Sequence, residues 1–223
     1  MYKIELHMHT KYSSRCGHMD AQELVSAYLE AGYHAVVVTD HFNRSTFKLL
    51  NMDTNGPGDF LGGFLTGYHR VKELAEPRGL RVYRGAEVRF DGSMNDYLLL
   101  NYPDELLPDP ERVFTMGLEA FSKLVRASGA LLIQAHPYRK ECTPADYRFL
   151  DGVETLNMHP GHDSHNDMAQ AFADRWPGLI RTSGSDCHQP HHAARGGIMV
   201  EELPEDEGAL ADLLRSGNYK LIG

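Results

Sequence analysis

Cysteine is scarce in this sequence, and long apolar runs are absent. The three cysteines are an odd number without a C-x-x-C spacing, which argues against a disulfide framework and favours a reducing compartment. No apolar run approaches the roughly 18 residues of a membrane span, and the N-terminal segment MYKIELHMHT lacks the hydrophobic core of a signal peptide. These absences predict a cytoplasmic protein with no membrane partner.

Basic side chains are the scarcer charged class. The 223 residues include 22 lysines and arginines against 31 aspartates and glutamates, which gives a formal net charge of −9 with histidine neutral. This balance argues against an extended nucleic acid bound through a broad basic surface. With 42% hydrophobic and 24% charged residues the chain should fold, and the composition leaves its 13 histidines unexplained.

Strand and helix patterns alternate along the chain. Residues His34 to Asp40 form a continuous apolar run typical of a strand buried on both faces of a parallel sheet. Asp20 and Glu23 have the spacing of a capping box, so a helix should begin there and end near Gly32. Further strands are predicted at 2–7, 80–87, 97–100, 131–135, 153–157, 179–183, 197–202 and 219–222. Further helices are predicted at 59–75, 115–128, 163–175 and 205–215.

The segment from Phe42 to Gly58 is predicted to be a loop, because it is polar and contains the breaker cluster NMDTNGPG. No linker or internal repeat interrupts the order of elements. We therefore predict one α/β domain over residues 1–223, with a parallel sheet or barrel inside and helices outside.

Histidine and acidic side chains close the predicted strands. The first strand ends in His7-Met8-His9, and strand alternation places both imidazoles on one side. In an α/β barrel the chemistry gathers at the carboxyl ends of the strands. The other strand endings supply Asp40 and His41, Glu87, His136, and Asp186 and His188. One such ending is more often solvated or hydrogen-bonded than metal-bound, but five in a row favour a metal cluster.

The candidate ligands also suggest which metals bind. Neutral imidazoles with a few carboxylates suit zinc, manganese or iron, whereas calcium and magnesium prefer oxygen ligands. A single catalytic zinc takes three protein ligands, and more than that converge here, so two or three divalent ions are predicted. Glu87 can bridge two of them. Cys187, between Asp186 and His188, should point away from the cluster into packing.

The ordered motifs HMHT, TDH, GAE, AHP and GSDCH resemble those of the PHP (polymerase and histidinol phosphatase) family. The similarity extends from His7 to about Gly197. It implies a distorted, TIM-like (β/α)7 barrel with a metal cluster at the C-terminal end of the strands. It also implies an enzyme that hydrolyses phosphate esters.

The resemblance assigns the ligands to individual ions. The first ion would be bound by His7, His9, Glu87 and Asp186. Glu87 would bridge to a second ion held by His136. The third ion would be bound by His41, His188 and His18, the last standing in for a histidine or aspartate of the family.

One departure from the family pattern concerns the second ion. Members that bind three ions commonly have a histidine just after the strand that follows the GAE-like motif, and here that stretch, NDYLLLNYPDEL, has none. Asn101, Asp104 or Asp96 could replace it, or the second ion could be weakly held or absent. Two firmly bound ions with a labile third are therefore an alternative.

The implied reaction is attack on phosphorus by a hydroxide that bridges two ions, because metal binding lowers the pKa of water from 15.7 toward about 7. Asp40, His159 or a metal-bound water could protonate the leaving group. Arg139 and Arg195 follow ligand motifs and are candidates for binding the substrate phosphate, since a guanidinium matches two phosphate oxygens. Either arginine could equally be a surface charge.

The sequence thus predicts a metal-dependent phosphoesterase that acts on a small phosphorylated metabolite or a short nucleotide. Histidinol-phosphate phosphatase is a narrower alternative, and a non-catalytic metal-binding regulatory module is another. An amidohydrolase is less favoured, because no lysine follows a strand where the bridging ligand of those enzymes is expected.

Overall fold

The computed structural model describes residues 1–223, and a curved β-sheet forms its centre. The strands are β1 (Tyr2–Met8), β2 (Ala35–Val38), β3 (His41–Phe42), β4 (Arg81–Val88), β5 (Tyr97–Leu100), β6 (Leu131–Gln134), β7 (Gly152–Asn157), β8 (Ile180–Gly184), β9 (Gly197–Val200) and β10 (Lys220–Ile222). The α-helices are α1 (Ala21–Glu30), α2 (Arg44–Leu49), α3 (Phe60–Phe64), α4 (Thr66–Ala75), α5 (Pro110–Met116), α6 (Leu118–Ser128), α7 (Asn166–Arg175) and α8 (Glu207–Ser216). No helix is both long enough and apolar enough to span a membrane.

Seven strands form the wall of a nearly closed barrel. They lie side by side in the order β1, β2, β4, β5, β6, β7, β8. A parallel bridge between Met8 and Cys187 joins the segment after β8 back to β1. Antiparallel β9 and β10 extend the sheet beyond β1. The predicted seven-stranded, TIM-like α/β barrel is therefore confirmed.

The prediction of a parallel sheet is wrong for β5, which runs antiparallel to both β4 and β6. Only residues 89–96 connect Val88 at the end of β4 to Tyr97 at the start of β5. A parallel crossover needs a dozen or more residues, so this short connection forces the chain to reverse. As a result the first residue of β5 lies at the same barrel end as the last residues of its neighbours.

Helix boundaries also differ from the prediction: the helix predicted at 59–75 is divided into α3 and α4, and two further segments differ for local reasons. The predicted loop at 42–58 contains α2, which begins after Asn43 because the Asn43 side chain accepts hydrogen bonds from the backbone N–H groups of Ser45 and Thr46. The helix predicted at 115–128 is preceded by α5, and the two are separated at Gly117, whose φ of 77° breaks the helical path.

Apolar packing places the helices outside the barrel and closes one of its ends. Side chains of α1, α4 and α6 pack with the strands in one continuous buried cluster. Helix α8 covers the end where β4 and β6 begin, since Tyr83 donates a hydrogen bond to the Pro204 carbonyl and Arg215 donates to that of Gly129. The opposite end, where the parallel strands finish, is left for the functional site.

We expect Asp20→Ala to lower the free energy of unfolding by about 1 kcal/mol. Asp20 Oδ1 accepts from the Glu23 N–H at 3.0 Å, and Glu23 Oε2 accepts from the Asp20 N–H at 2.8 Å, which completes the predicted capping box of α1. Urea unfolding would measure the loss, with exposed Gln22→Ala in the same helix as the control. Equal losses in the two variants would contradict the role of the cap.

Candidate metal centre

Seven of the eight side chains predicted to bind metal converge at the C-terminal end of the barrel. They are His7, His9, His41, Glu87, His136, Asp186 and His188. Their nitrogen and oxygen atoms form overlapping groups of three in which all atoms lie within 4.8 Å of one another. Cys187 is fully buried among apolar side chains and points away from the cluster, as predicted.

The geometry of the first group matches that of a metal site. His7 Nε2 and His9 Nε2 are 3.2 Å apart, and they lie 3.4 and 3.3 Å from Asp186 Oδ1. Each nitrogen is also 3.4 Å from one oxygen of Glu87. Atoms bound tetrahedrally to zinc at about 2.1 Å would be separated by about 3.4 Å. These four side chains are therefore spaced to share one divalent ion.

Glu87 lies between two sets of imidazoles. Its Oε1 is 3.1 Å from His136 Nε2, whereas its Oε2 is 2.8 Å from His41 Nδ1. Both Glu87 Oε2 and His41 Nδ1 are buried without a hydrogen-bond partner. Buried polar atoms are costly when they have no partner, and a cation between them would remove that cost. The residues present therefore fit a bridged metal cluster.

Electrostatics keep the carboxylates of the cluster ionised. Burial would raise the pKa of Glu87, but His41 and His7 hold it well below its usual range. Burial acts in the same direction on Asp186, and His7 and His9 again lower the pKa well below normal. Burial would lower the pKa of His7, yet neighbouring carboxylates, with Glu154 first, raise it well above normal. The site therefore offers ionised carboxylates at neutral pH.

Glu154 in β7 positions the ligands and was missed by the sequence analysis. Its Oε1 is 2.9 Å from His7 Nδ1, while its Oε2 accepts from the His136 N–H at 3.0 Å and from Asn157 Nδ2 at 2.9 Å. A carboxylate on one ring nitrogen fixes the tautomer of the neutral ring, so with a metal ion bound the other nitrogen of His7 would face the cluster as the ligand atom. Asn157 Nδ2 also donates to Asp186 Oδ2 at 3.2 Å. In the sequence, the one sign of this role is that Glu154 is an acidic residue inside a buried strand.

Two candidate ligands have unusual backbone conformations. The φ angles of His136 and Asp186 are 30° and 48°, in the left-handed region. Such conformations cost on the order of 1–3 kcal/mol each and persist where the surroundings enforce them, often at functional sites. They turn the chain sharply after β6 and β8, and this turn aims both side chains into the barrel mouth.

The structure does not bring His18 into the ligand cluster. Its side chain is exposed at the cavity rim, and it belongs to none of the converging groups. Its backbone N–H donates to the carbonyl of His188 at 2.8 Å, which holds the loop in place. Cys16 of the same loop also belongs to none of these groups, but it lines the cavity together with His41 and His188.

Of the three substitutes considered for the missing histidine, only Asp96 faces the cluster. It is fully buried and lies 3.9 Å from His136 Nε2, because it precedes antiparallel β5. Asn101 and Asp104 lie at the other end of β5, where they interact with Gly129 and Arg84. The Asp96 carboxylate also accepts hydrogen bonds from Nε and Nη2 of Arg89.

The remaining predicted site residues occupy three different settings. Asp40 is buried, and its carboxylate accepts hydrogen bonds of 2.7 Å from the Thr10 N–H, Thr10 Oγ1 and Ser14 Oγ. Arg139 lines the cavity, 3.5 Å from both Asp96 and Asp186. Arg195 is exposed and does not line the cavity.

His159 lines the cavity beside His188 and His192. Burial, followed by the charges of His192 and His162, lowers the pKa of His159 to about 4, although Asp186 opposes this shift. Its Nδ1 accepts a hydrogen bond from the Gly161 N–H at 3.0 Å. At neutral pH the ring is therefore neutral, and its proton is on Nε2.

A cavity of about 810 Å³ lies next to the candidate ligands, two of which, His41 and His188, line it. Its lining includes four cationic side chains, Arg15, Arg89, Arg139 and Lys140. A volume of this size is ample for a small organic phosphate. The cavity therefore has cationic walls next to the candidate metal ligands, an arrangement that suits an anionic substrate bound to metal ions.

Comparisons with known proteins identify the family to which the chain belongs. The sequence profile of the PHP domain matches residues 5–196, whereas no curated protein matches significantly. A two-domain protein from Bacteroides vulgatus ATCC 8482, described as containing a predicted PHP-like metal-dependent phosphoesterase, is 17% identical with a TM-score of 0.71; the match covers 99% of this chain and 64% of that one. PsfC from Pseudomonas syringae PB-5123 is 17% identical with a TM-score of 0.65, and the match covers 94% and 86% of the two chains.

The fold is also similar to that of endonuclease Q. The lesion-specific endonuclease Q from Pyrococcus furiosus is 15% identical with a TM-score of 0.63, and the match covers 99% of this chain and 57% of that one. Another endonuclease Q structure, with a 27-mer duplex substrate carrying an abasic lesion at the active site, is 14% identical with a TM-score of 0.59, over 98% and 58%. This chain thus spans less than two thirds of endonuclease Q and of the two-domain protein. From the profile match over most of its length, the chain belongs to the PHP domain family.

Proposed function

We propose that the protein hydrolyses a phosphate ester of a small metabolite or a short nucleotide, using two or three divalent ions. The position of Glu87 carries this proposal. Its Oε1 faces His136 and its Oε2 faces His41, and Oε2 has no hydrogen-bond partner. The donor set of imidazoles and carboxylates favours zinc, manganese or iron. The proposed ligands are His7, His9, His41, Glu87, His136, Asp186 and His188.

Ions in this site would neutralise phosphoryl oxygens and lower the pKa of a bound water. The protein side chains would bind and orient the substrate. Arg139, which lines the cavity, would donate two hydrogen bonds to the phosphate. His159, neutral with its proton on Nε2, would donate a hydrogen bond and not act as a protonated general acid. Asp40 would position the loop after β1, because that loop already occupies its carboxylate.

The size and charge of the cavity support a short substrate. Arg15 and Lys140 are exposed on its walls, where they could meet a second anionic group. The net charge of −9 provides no broad basic surface for a long nucleic acid. The similarity to endonuclease Q nevertheless favours a second candidate, cleavage of a phosphodiester within a nucleic acid.

Metal analysis combined with a substrate panel would test the proposal. The panel contains aryl phosphate mono- and diesters, phosphorylated metabolites including histidinol phosphate, nucleoside bisphosphates, short oligonucleotides and a duplex with an abasic site. We expect bound ions, ester hydrolysis that a chelator abolishes and added metal restores, and a preference for small esters. A protein that retains its ions yet cleaves no ester would contradict the proposal, and preferential cleavage of the duplex would favour the second candidate.

We expect Arg139→Ala to raise the KM for the preferred ester about 10- to 100-fold with a smaller change in kcat, because hydrogen bonds to a charged group contribute about 1.5–3 kcal/mol. Steady-state kinetics would measure the change. Arg195→Ala is the matched control, since that side chain is exposed outside the cavity. A raised KM for Arg195→Ala alone would reverse the assignment.

A further inference from the structure

We propose that Cys16 is a thiolate ligand of the ion bound by His41 and His188, in the position that the family resemblance assigns to His18. The inference rests on the metal centre proposed above and identifies a ligand of a different chemical class. On binding, the thiol loses its proton to solvent as a sulfur–metal bond forms. The third ion would then be held by sulfur and nitrogen.

Two hydrogen bonds to the main chains of His41 and His188 anchor the loop that carries Cys16. On one side of Cys16, Ser14 Oγ accepts from the His41 N–H at 2.9 Å. On the other side, the His18 N–H donates to the His188 carbonyl at 2.8 Å. Cys16 lies midway between the anchors and lines the same cavity as both histidines. The loop therefore presents Cys16 to the open side of this ligand pair.

His41 and His188 each have a ring nitrogen that is free to bind a metal ion. His188 Nδ1 donates to the Asp186 carbonyl at 2.8 Å, so its Nε2 is left as an acceptor. His41 is buried, and its Nδ1 has no hydrogen-bond partner. Both rings stack on His9, with centroids 4.4 and 4.3 Å away, and the three ligand atoms converge. An ion at this point would need one more donor from the cavity side.

A metal ion bound by His41 and His188 would favour the thiolate form of Cys16, because a neighbouring metal lowers the pKa of a thiol. The thiolate is the form that binds metals. Thiolate ligands favour zinc over manganese, so we infer that this ion is selected for zinc or another soft divalent metal.

The other two cysteines have different surroundings and serve as controls. Cys142 also lines the cavity, but on the side of His136, where its Sγ lies 3.9 Å from Nδ1 of that ring. Cys187 is fully buried against Met19. Only Cys16 is exposed, so the three thiols can be distinguished by their reactivity.

Cobalt substitution tests the proposal with a readout other than activity. The protein loaded with Co²⁺ should show a near-ultraviolet thiolate-to-cobalt charge-transfer band. We expect Cys16→Ser to lose this band and one bound ion per chain, whereas Cys142→Ser and His18→Gln keep both. Cys16→His should keep the ion but not the band. In a Cys142→Ser background, bound zinc should slow the reaction of Cys16 with a thiol reagent at least tenfold. Thermal unfolding of each variant verifies that it is folded.

The outcomes separate this inference from the proposed function. A band that persists in Cys16→Ser, or is absent from the wild-type protein while ions bind and esters are hydrolysed, would overturn the role of Cys16 and leave the phosphoesterase proposal intact. Loss of one bound ion in His18→Gln and not in Cys16→Ser would return the ligand role to His18. If no ions bind to the wild-type protein, both proposals are wrong.

Discussion

Replacing Asp186 with asparagine is expected to lower turnover by about 10³-fold or more, equivalent to about 4 kcal/mol of transition-state stabilisation. Asp186 Oδ1 is within 3.4 Å of the Nε2 atoms of both His7 and His9, so the substitution removes an ionised ligand shared by two imidazoles. The amide has nearly the same size, and Asn tolerates the left-handed backbone at this position. The fold should therefore survive.

The measurement is kcat for the preferred ester together with metal content and the thermal midpoint of each variant. Asp174→Asn is the matched control, because Asp174 lies on the surface of α7, where it pairs only with exposed Arg181. We expect the control to retain wild-type turnover. Unchanged turnover in Asp186→Asn would disprove the assignment of Asp186 as a ligand.

The second large effect is expected for Glu154→Gln, which should weaken metal binding about 10- to 100-fold although residue 154 does not face the ions. The Oε2 atom accepts two donors, the His136 N–H and Asn157 Nδ2. In glutamine an NH2 group occupies one of the two oxygen positions. In one orientation of the amide its NH2 group faces His7 Nδ1, and in the other it faces the His136 N–H and Asn157 Nδ2, which are themselves donors. The His7 tautomer or the His136 backbone is disturbed in either case.

Competition with a chelator of known affinity would measure the metal affinity of Glu154→Gln. The control is Glu119→Gln on the exposed face of α6, where Glu119 pairs only with Lys123. An affinity equal to that of the wild-type protein would mean that Glu154 does not orient the ligands. A fall in turnover without a fall in affinity would point to a role in substrate binding.

Much of the barrel and most of the candidate cluster could be predicted from the sequence, because both depend on short-range patterns. Buried parallel strands have continuous apolar runs, and the residue that follows each run is placed at one end of the barrel. His7 with His9, Glu87 and Asp186 were found in this way. The capping box at Asp20 is equally local.

The features that the sequence analysis missed depend on contacts between distant segments. The direction of β5 is decided by its short connection to β4, and it brings Asp96 to the site while Asn101 is carried away. Glu154 is defined by its contacts with His7 and His136, which come from other strands. The choice between His18 and Cys16 depends on how one loop is tethered to two others, and no periodicity encodes that.

The left-handed backbone at His136 and Asp186 restricts which amino acids evolution can try at these two positions. Branched side chains such as valine, isoleucine and threonine are strongly disfavoured at positive φ, whereas asparagine, aspartate and histidine are tolerated several-fold better. The residues most enriched there, glycine apart, have side chains that can bind a divalent ion. At these two strand ends, therefore, the main chain itself favours the retention of metal-binding side chains during sequence drift.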